Sequence, residues 1–287
     1  MIQDEVDAVR FAIQLDTLRE HFSVLPLNEA IDRLRAGTLP TRAAAITFDD
    51  GYANNAEVAL PILVKKSMHA TFFIATGSLG DGYMWNDAII QALRSAPGPT
   101  LDLSAISFHT YSLRTIADRR AALDDILPRL KARDPASRHN LVAKILQAAE
   151  SKPPSGIMMT HEQVRSLDSA GMDIGGHTVN HPILTTLTAD EAKREIVEGK
   201  KNLERIIGRP VQLFAYPNGK PGQDFDGAHV AMVKAAGFSA AVSTAPGAAR
   251  ADSDPYQLPR FTPWDRSPAR FTLRLFKNAM LKHIHTA

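Results

Sequence analysis

The chain has 287 residues, with 33 Lys and Arg against 31 Asp and Glu, so its formal net charge is only +2. This balance gives no electrostatic reason to expect nucleic acid or an anionic membrane surface as a partner. Because the chain has no cysteine, disulfides and thiolate metal sites are excluded, and any bound metal must take nitrogen and oxygen ligands.

The hydropathy of the chain also limits which class of protein it can belong to. No stretch approaches the roughly 18 uninterrupted apolar residues of a membrane-spanning helix, so no span is expected. The first residues, "MIQDEVDAVRFAIQLD", carry acids early and lack the apolar core run of a secretory signal. The chain as it stands is therefore expected to be cytoplasmic, although the sequence does not decide the compartment of the protein. The sequence does not indicate an oligomeric state.

Short apolar segments alternate with longer amphipathic ones along most of the chain. The apolar segments predict strands near residues 23–25, 43–48, 70–75, 172–175, 211–216 and 238–242. The amphipathic segments predict helices near residues 8–21, 28–36, 56–66, 161–170, 188–207, 227–236 and 267–283. Such alternation indicates an α/β fold with a parallel sheet, either open or closed into a barrel.

Two of the predicted helices carry clear start signals. Thr160 with Gln163, and Thr188 with Glu191, have the spacing of capping boxes. Gly208, directly after the second of these helices, is a typical C-terminal stop. These signals predict where the two helices begin and where the second one ends.

Residues 77–156 interrupt the alternation. The segment is charge-rich and largely helical in pattern, and it ends in "SKPPSG" (151–156), a typical loop sequence. We interpret it as a helical insertion in one strand-to-helix loop. On this interpretation, residues 1–287 form a single domain.

The stretch "AITFDDGYAN" (45–54) places two carboxylates, Asp49 and Asp50, at the end of an apolar strand. Adjacent like charges repel, and burying either one without a partner is costly. A positive charge is therefore expected beside them.

The stretch "IGGHTVNHPILTTL" (174–187) contains His177 and His181. The preceding glycines and the following proline favour a loop at a strand end over a helix. Carboxyl ends of parallel strands share one edge of a sheet, so the histidines and aspartates are expected to meet. Two neutral imidazoles and one carboxylate suit zinc or a similar divalent ion. The other carboxylate is then a candidate general base.

Three segments in this order resemble one family. "TFDDGY" (47–52), "GGHTVNHPIL" (175–184) and "FAYPNG" (214–219) are similar to motifs of the polysaccharide deacetylases of the NodB-homology type, carbohydrate esterase family 4. The resemblance covers roughly residues 40–260. "MWND" (84–87) and the helical insertion resemble the members that act on bacterial exopolysaccharide or surface glycans.

The resemblance implies a role for each motif residue. Asp49 would be the catalytic base, and Asp50, His177 and His181 would bind the metal. The backbone N–H of Tyr216 would help to hold the oxyanion. The implied fold is a distorted (β/α) barrel with fewer than eight strands.

The resemblance also implies an activity, a cofactor and a partner. The activity is metal-dependent removal of N-acetyl groups from a carbohydrate, with O-acetyl groups as a neighbouring alternative. The metal is expected to be Zn²⁺, with Co²⁺ or Ni²⁺ as alternatives, and the partner an acetylated glycan. Two other classes stay open: a glycoside hydrolase using the two carboxylates, and a non-catalytic glycan-binding relative.

Two departures from the family pattern concern the active site. Ala215 stands where members often have an arginine that holds the catalytic aspartate. We expect Arg260, in "YQLPRFTPWD" (256–265), to replace it through a bidentate pair with Asp49. Many members carry a late histidine as general acid, but here the only histidines after Phe238 are near the C-terminus, so no general acid is assigned.

Overall fold

The computed structural model describes residues 7–262, 265, 267–281 and 285–287. These residues form two compact units. One is Asp81–Met158, and the other consists of the chain up to Gly80 and from Met159 onward. The bounds of the first unit are close to those expected for the insertion. The assignment of residues 1–287 to one domain stays a prediction.

The strands are short, and one sheet contains most of them. Their bounds are β1 Ser23–Val24, β2 Ala43–Ala44, β3 Thr47–Phe48, β4 Thr71–Ile74, β5 Thr100–Asp102, β6 Thr110–Ser112, β7 Asp173–Gly176, β8 Leu213–Ala215 and β9 Ala240–Val242. In the described part of the chain, a five-stranded sheet has the order β3-β4-β7-β8-β9, and all neighbouring strands are parallel. The sheet curls into a half-barrel, so the α/β fold with fewer than eight strands is confirmed.

Most of the α-helices lie between these strands in the chain, while the first described helix precedes β1 and the last follows β9. Their bounds are α1 Ala8–His21, α2 Leu27–Arg35, α3 Leu60–Lys65, α4 Trp85–Ser95, α5 Ile116–Lys131, α6 Pro135–Ala148, α7 His161–Ser169, α8 Ala189–Ile207, α9 Gly227–Ala235 and α10 Pro268–Ala279. None of the described helices is long and apolar enough to cross a membrane.

Both predicted capping boxes are present. The Thr160 hydroxyl accepts from the Gln163 N–H while the Gln163 side chain accepts from the Thr160 N–H, and Thr188 and Glu191 make the same reciprocal pair. Gly208 ends α8 in the left-handed conformation, with φ 72°. The local sequence therefore predicted where both helices begin and where α8 ends.

The central strands are buried on both faces, as expected for a parallel sheet covered by helices. Successive residues of β4 and β8 point to opposite faces. Phe72 and Phe214 belong to one apolar cluster, and Phe73, Leu213 and Ala215 belong to another. Apolar residues thus pack on both faces of the sheet, and the loops that follow its strands extend from this core.

Two details of the larger unit differ from prediction. The expected strand at 43–48 is split into β2, which pairs with β1, and β3, which begins the large sheet. The expected helix at 56–66 begins as a π-helical turn, Asn55–Ala59, and becomes α-helical at Leu60. Pro61 lies at this junction and lacks the N–H that a continuous α-helix would use, which accounts for the change.

The smaller unit has its own apolar core, formed by α4, α5, α6 and an antiparallel hairpin of β5 and β6. Trp85 begins α4, and the Arg138 guanidinium lies 5.2 Å from its ring centroid. The hairpin was not predicted. Only Leu101 and Tyr111 are buried in its three-residue strands, and such a short alternation cannot be distinguished from a loop.

Candidate active site

The two adjacent aspartates follow β3 at the carboxyl edge of the sheet. Asp50 has φ 76° and Gly51 has φ 94°, so the chain turns sharply in the left-handed region as soon as the strand ends. Aspartate is among the few residues other than glycine that tolerate this conformation. At Gly51 a side chain would also meet Ile74, because a Cβ there would lie 3.0 Å from its Cγ2.

Asp50 lies with the two histidines of the loop after β7. Its Oδ1 atom is 3.5 Å from His177 Nε2 and 3.3 Å from His181 Nε2. One ligand atom from each of these three residues lies within 4.8 Å of the others. Among the residues described, this is the group of His, Asp and Glu that could hold a metal ion.

His177 is oriented from the next strand. Its Nδ1–H donates to the Ala215 carbonyl at 2.6 Å, and the residue is only 1% exposed. Because a carbonyl only accepts, this bond fixes the tautomer and leaves the Nε2 lone pair directed toward Asp50. A backbone acceptor of this kind is typical of metal-binding histidines.

The electrostatics of the group favour a bound cation. Burial by itself lowers the pKa of His177. The Asp50 carboxylate, which would accept a hydrogen bond from Nε2 of the protonated ring, and the negative charges of Asp49 and Asp50 raise this pKa above its ordinary value. Burial raises the pKa of Asp50, but His177 and His181 lower it overall. The two carboxylates therefore create a negative potential at the imidazoles. The donor set of two nitrogens and one oxygen fits a divalent cation with further positions left for water or substrate.

Asp49 points to a different partner. Arg260 donates from Nη1 to Asp49 Oδ1 and from Nη2 to Oδ2, both at 2.7 Å. The guanidinium is also held by the Ser243 carbonyl, 2.9 Å from Nε, and by the Thr47 hydroxyl. The structure thus contains the bidentate pair that the missing arginine at Ala215 led us to expect. The catalytic role of the pair stays a prediction.

The pair controls the ionisation of Asp49. Burial by itself raises the pKa of this carboxyl, but the charge and hydrogen bonds of Arg260 outweigh burial and lower the pKa to about 2. Asp49 is therefore ionised at neutral pH and fixed in orientation. The two adjacent aspartates, alike in sequence, have different surroundings.

Tyr216 does not occupy the expected position. Its side chain is fully buried, its hydroxyl donates to the Tyr256 carbonyl, and its backbone N–H donates to Val242 O at 3.2 Å. Pairing with β9 extends one residue beyond β8, so this N–H is not available to an oxyanion. The assignment of Tyr216 is therefore corrected.

The next available N–H belongs to Asn218. Pro217 has no N–H, and Gly219 donates back to Pro217 O, whereas the Asn218 N–H has no acceptor among the described residues. Asn218 has φ 60°, in a "PNG" turn that begins two residues after the end of β8. This turn signature is the sequence signal that could have identified it. Of the two late histidines, His285 is exposed, and His283 lies outside the described residues.

Comparisons with known proteins identify the family of the chain. The polysaccharide deacetylase family model matches residues 36–241, and the chain belongs to that family. YxkH of Bacillus subtilis (strain 168), a protein named for the same family, is 23% identical over 222 residues, which cover 76% of this chain and 50% of YxkH. The chain thus spans about half the length of this curated relative.

Several solved structures share the fold. The deacetylase PplD of Streptococcus pyogenes, solved with acetate, has a TM-score of 0.61 at 20% identity, covering 94% of this chain and 87% of PplD. IcaB from Ammonifex degensii has a TM-score of 0.61 at 18% identity, covering 97% and 91%. A de-N-acetylase from Aggregatibacter actinomycetemcomitans has a TM-score of 0.57 at 15% identity, covering 91% and 86%.

Proposed function

We propose that the protein is a hydrolase that removes N-acetyl groups from a glycan, with a divalent cation, Zn²⁺ in preference to Co²⁺ or Ni²⁺, held by Asp50, His177 and His181. One observation carries the proposal: the two adjacent carboxylates have separate partners at the same edge of the sheet. Asp50 faces the two imidazoles, and Asp49 is held by Arg260. The family supports deacetylation of a carbohydrate. The choice of N-acetyl groups is our proposal, and it is favoured by the fold that the chain shares with a de-N-acetylase.

The cation would supply Lewis-acid activation of water and of the acetyl carbonyl. Residues of the protein would transfer the protons and stabilise the negative charge that develops on the substrate. Asp49 accepts a proton from the attacking water, and Arg260 holds the Asp49 carboxylate in the orientation that this transfer needs. The Asn218 N–H donates to the oxygen that becomes negative in the tetrahedral intermediate. As the C–N bond breaks, Asp49 returns its proton to the leaving amine, since no separate general acid is assigned.

The glycoside hydrolase alternative fits the site poorly. Such enzymes need one carboxyl with a raised pKa as the acid, across the bond from the second carboxyl. Here the pKa of Asp49 and that of Asp50 are both lowered, and each carboxylate already has a cationic or imidazole partner. A purely glycan-binding role would not require the complete set of three cation ligands together with Asp49.

The test is acetate release from a panel of N-acetylated and O-acetylated oligosaccharides, with and without chelator. We expect release from an N-acetylated glycan, loss of activity with chelator, and recovery when Zn²⁺ is returned. Release only from O-acetyl esters would change the substrate class to esters. Cleavage of the sugar chain itself, without acetate release, would replace the proposal with glycoside hydrolysis.

Arg260→Lys is expected to lower kcat by about 10–100-fold, since a small misplacement of a catalytic group can cost about 10² in rate. Lysine keeps the charge but cannot form the two parallel bonds to Asp49. Cation content, measured on the same preparation, should not change. Arg274→Lys is the matched control, because Arg274 is an exposed arginine that pairs with Asp265. Equal rates for Arg260→Lys and wild type would show that the pair does not orient the base.

A further inference from the structure

Residues 177–181, called the ligand loop here, have an unusual backbone. Thr178 has φ 68° and His181 has φ 52°. Both residues are in the left-handed region, which residues other than glycine rarely adopt. The loop contains two of the three candidate cation ligands. Its conformation is therefore expected to depend on contacts from outside the loop.

The side chain of Glu195, in α8, makes the most extensive of these contacts. Its Oε2 atom accepts from the backbone N–H of Val179 at 2.9 Å and from that of Asn180 at 2.8 Å. Its Oε1 atom accepts from Asn180 Nδ2 at 2.7 Å. Hydrogen bonds to an ionised carboxylate are shorter and stronger than neutral ones. Both oxygens of one carboxylate thus hold the middle of the ligand loop.

Glu195 belongs to a helix face that supports the loop along its length. Gly199 and Asn202 lie four and seven residues later, on the same side of α8. A Cβ at Gly199 would lie 2.7 Å from the Thr178 carbonyl atoms, so the helix and loop backbones are in close contact. Asn202 donates to the Thr76 hydroxyl, and the Thr76 N–H donates to the Thr178 carbonyl.

We propose that Glu195 is a positioning residue for the cation site, which holds the ligand loop so that His177 and His181 reach the same ion. This inference rests on the proposed function, because it assumes a divalent cation at Asp50, His177 and His181. Glu195 contacts Val179 and Asn180, which lie between the two candidate ligands of the loop, and not the ligands' side chains. Its role is therefore to set cation affinity. The residue has this role because its carboxylate can accept three bonds at once.

Glu195→Gln is the informative variant. The glutamine side chain keeps the length of glutamate, but its NH₂ group cannot accept a hydrogen bond. Some of the hydrogen bonds that hold the ligand loop are therefore lost. We expect Co²⁺ affinity, measured by absorbance titration of the metal-free protein, to fall about 10–100-fold, the range seen when a group that orients metal ligands is removed. Saturating Co²⁺ should restore most of kcat. Glu198→Gln, whose carboxylate pairs with Lys201 in the same helix, should bind Co²⁺ like wild type.

Equal Co²⁺ affinity in folded Glu195→Gln and wild type would overturn the inference while leaving the proposed function intact. If circular dichroism shows that Glu195→Gln does not fold, Asn180→Ala decides, because it removes only the contact to Oε1. It should weaken Co²⁺ binding by less than Glu195→Gln is expected to, and unchanged affinity would reject the role. A wild-type protein that binds neither Co²⁺ nor Zn²⁺ would instead overturn the proposed function itself.

Discussion

Asp49→Asn is expected to lower the rate of acetate release by about 10²–10⁴-fold, the usual contribution of a general base, while the protein keeps its cation. Asparagine has nearly the same shape and still accepts a hydrogen bond from Arg260, so the side chain stays in place. It cannot accept a proton from water at neutral pH. Steady-state rates at saturating glycan, with elemental analysis of the same preparation, check both parts.

Two companion variants make the result specific. Asp50→Asn should weaken cation binding itself, because it removes the negative ligand that faces both imidazoles. Asp168→Asn removes a carboxylate in α7 that pairs with Arg209, and it should behave like wild type. If Asp49→Asn lost its cation while Asp50→Asn kept it, the roles of the two adjacent aspartates would have to be exchanged.

His177→Ala is expected to weaken cation binding by more than about 100-fold, since loss of an outer contact to a ligand already costs about 10–100-fold. Activity should fall to that of the chelated wild-type protein. The alanine also breaks the bond to the Ala215 carbonyl and opens a buried space, so stability is expected to decrease. Isothermal titration of the metal-free variant with Zn²⁺ measures the affinity directly.

His181→Ala separates the loss of a ligand from the loss of stability. The His181 side chain is 20% exposed, against 2% for His177, so its removal should disturb the core less while still weakening cation binding. His161→Ala, at the exposed first turn of α7, is the control histidine. Full Zn²⁺ occupancy in both His177→Ala and His181→Ala would remove these residues from the site.

Much of the larger unit could be predicted from local patterns. The helix expected at 8–21 is Ala8–His21, and the strand expected at 70–75 contains β4, Thr71–Ile74. Both follow from residue periodicity and from burial, which act over a few neighbouring positions. The prediction that the aspartates and histidines meet needed only one topological rule: parallel strands bring their carboxyl ends to the same edge.

The register of strand pairing was beyond local patterns. Tyr216 was expected to offer its N–H to an oxyanion, but the pairing of β8 with β9 extends one residue further and uses that N–H. Which amides stay available depends on where two strands stop pairing. That end point is set by the neighbouring strand and the turn after it, and both lie outside the motif.

Contacts between distant segments were decided by the tertiary structure. The missing arginine at Ala215 suggested that Asp49 needs another partner. Only the fold brings Arg260, far from Asp49 in the sequence, into contact with Asp49, the Ser243 carbonyl and the Thr47 hydroxyl. Glu195 carried no signal at all in the sequence, because an exposed-looking helical glutamate is ordinary. A sequence motif identifies the chemical groups of a site, whereas their orientation depends on side chains that share no sequence neighbourhood with them and meet them only when the core has packed.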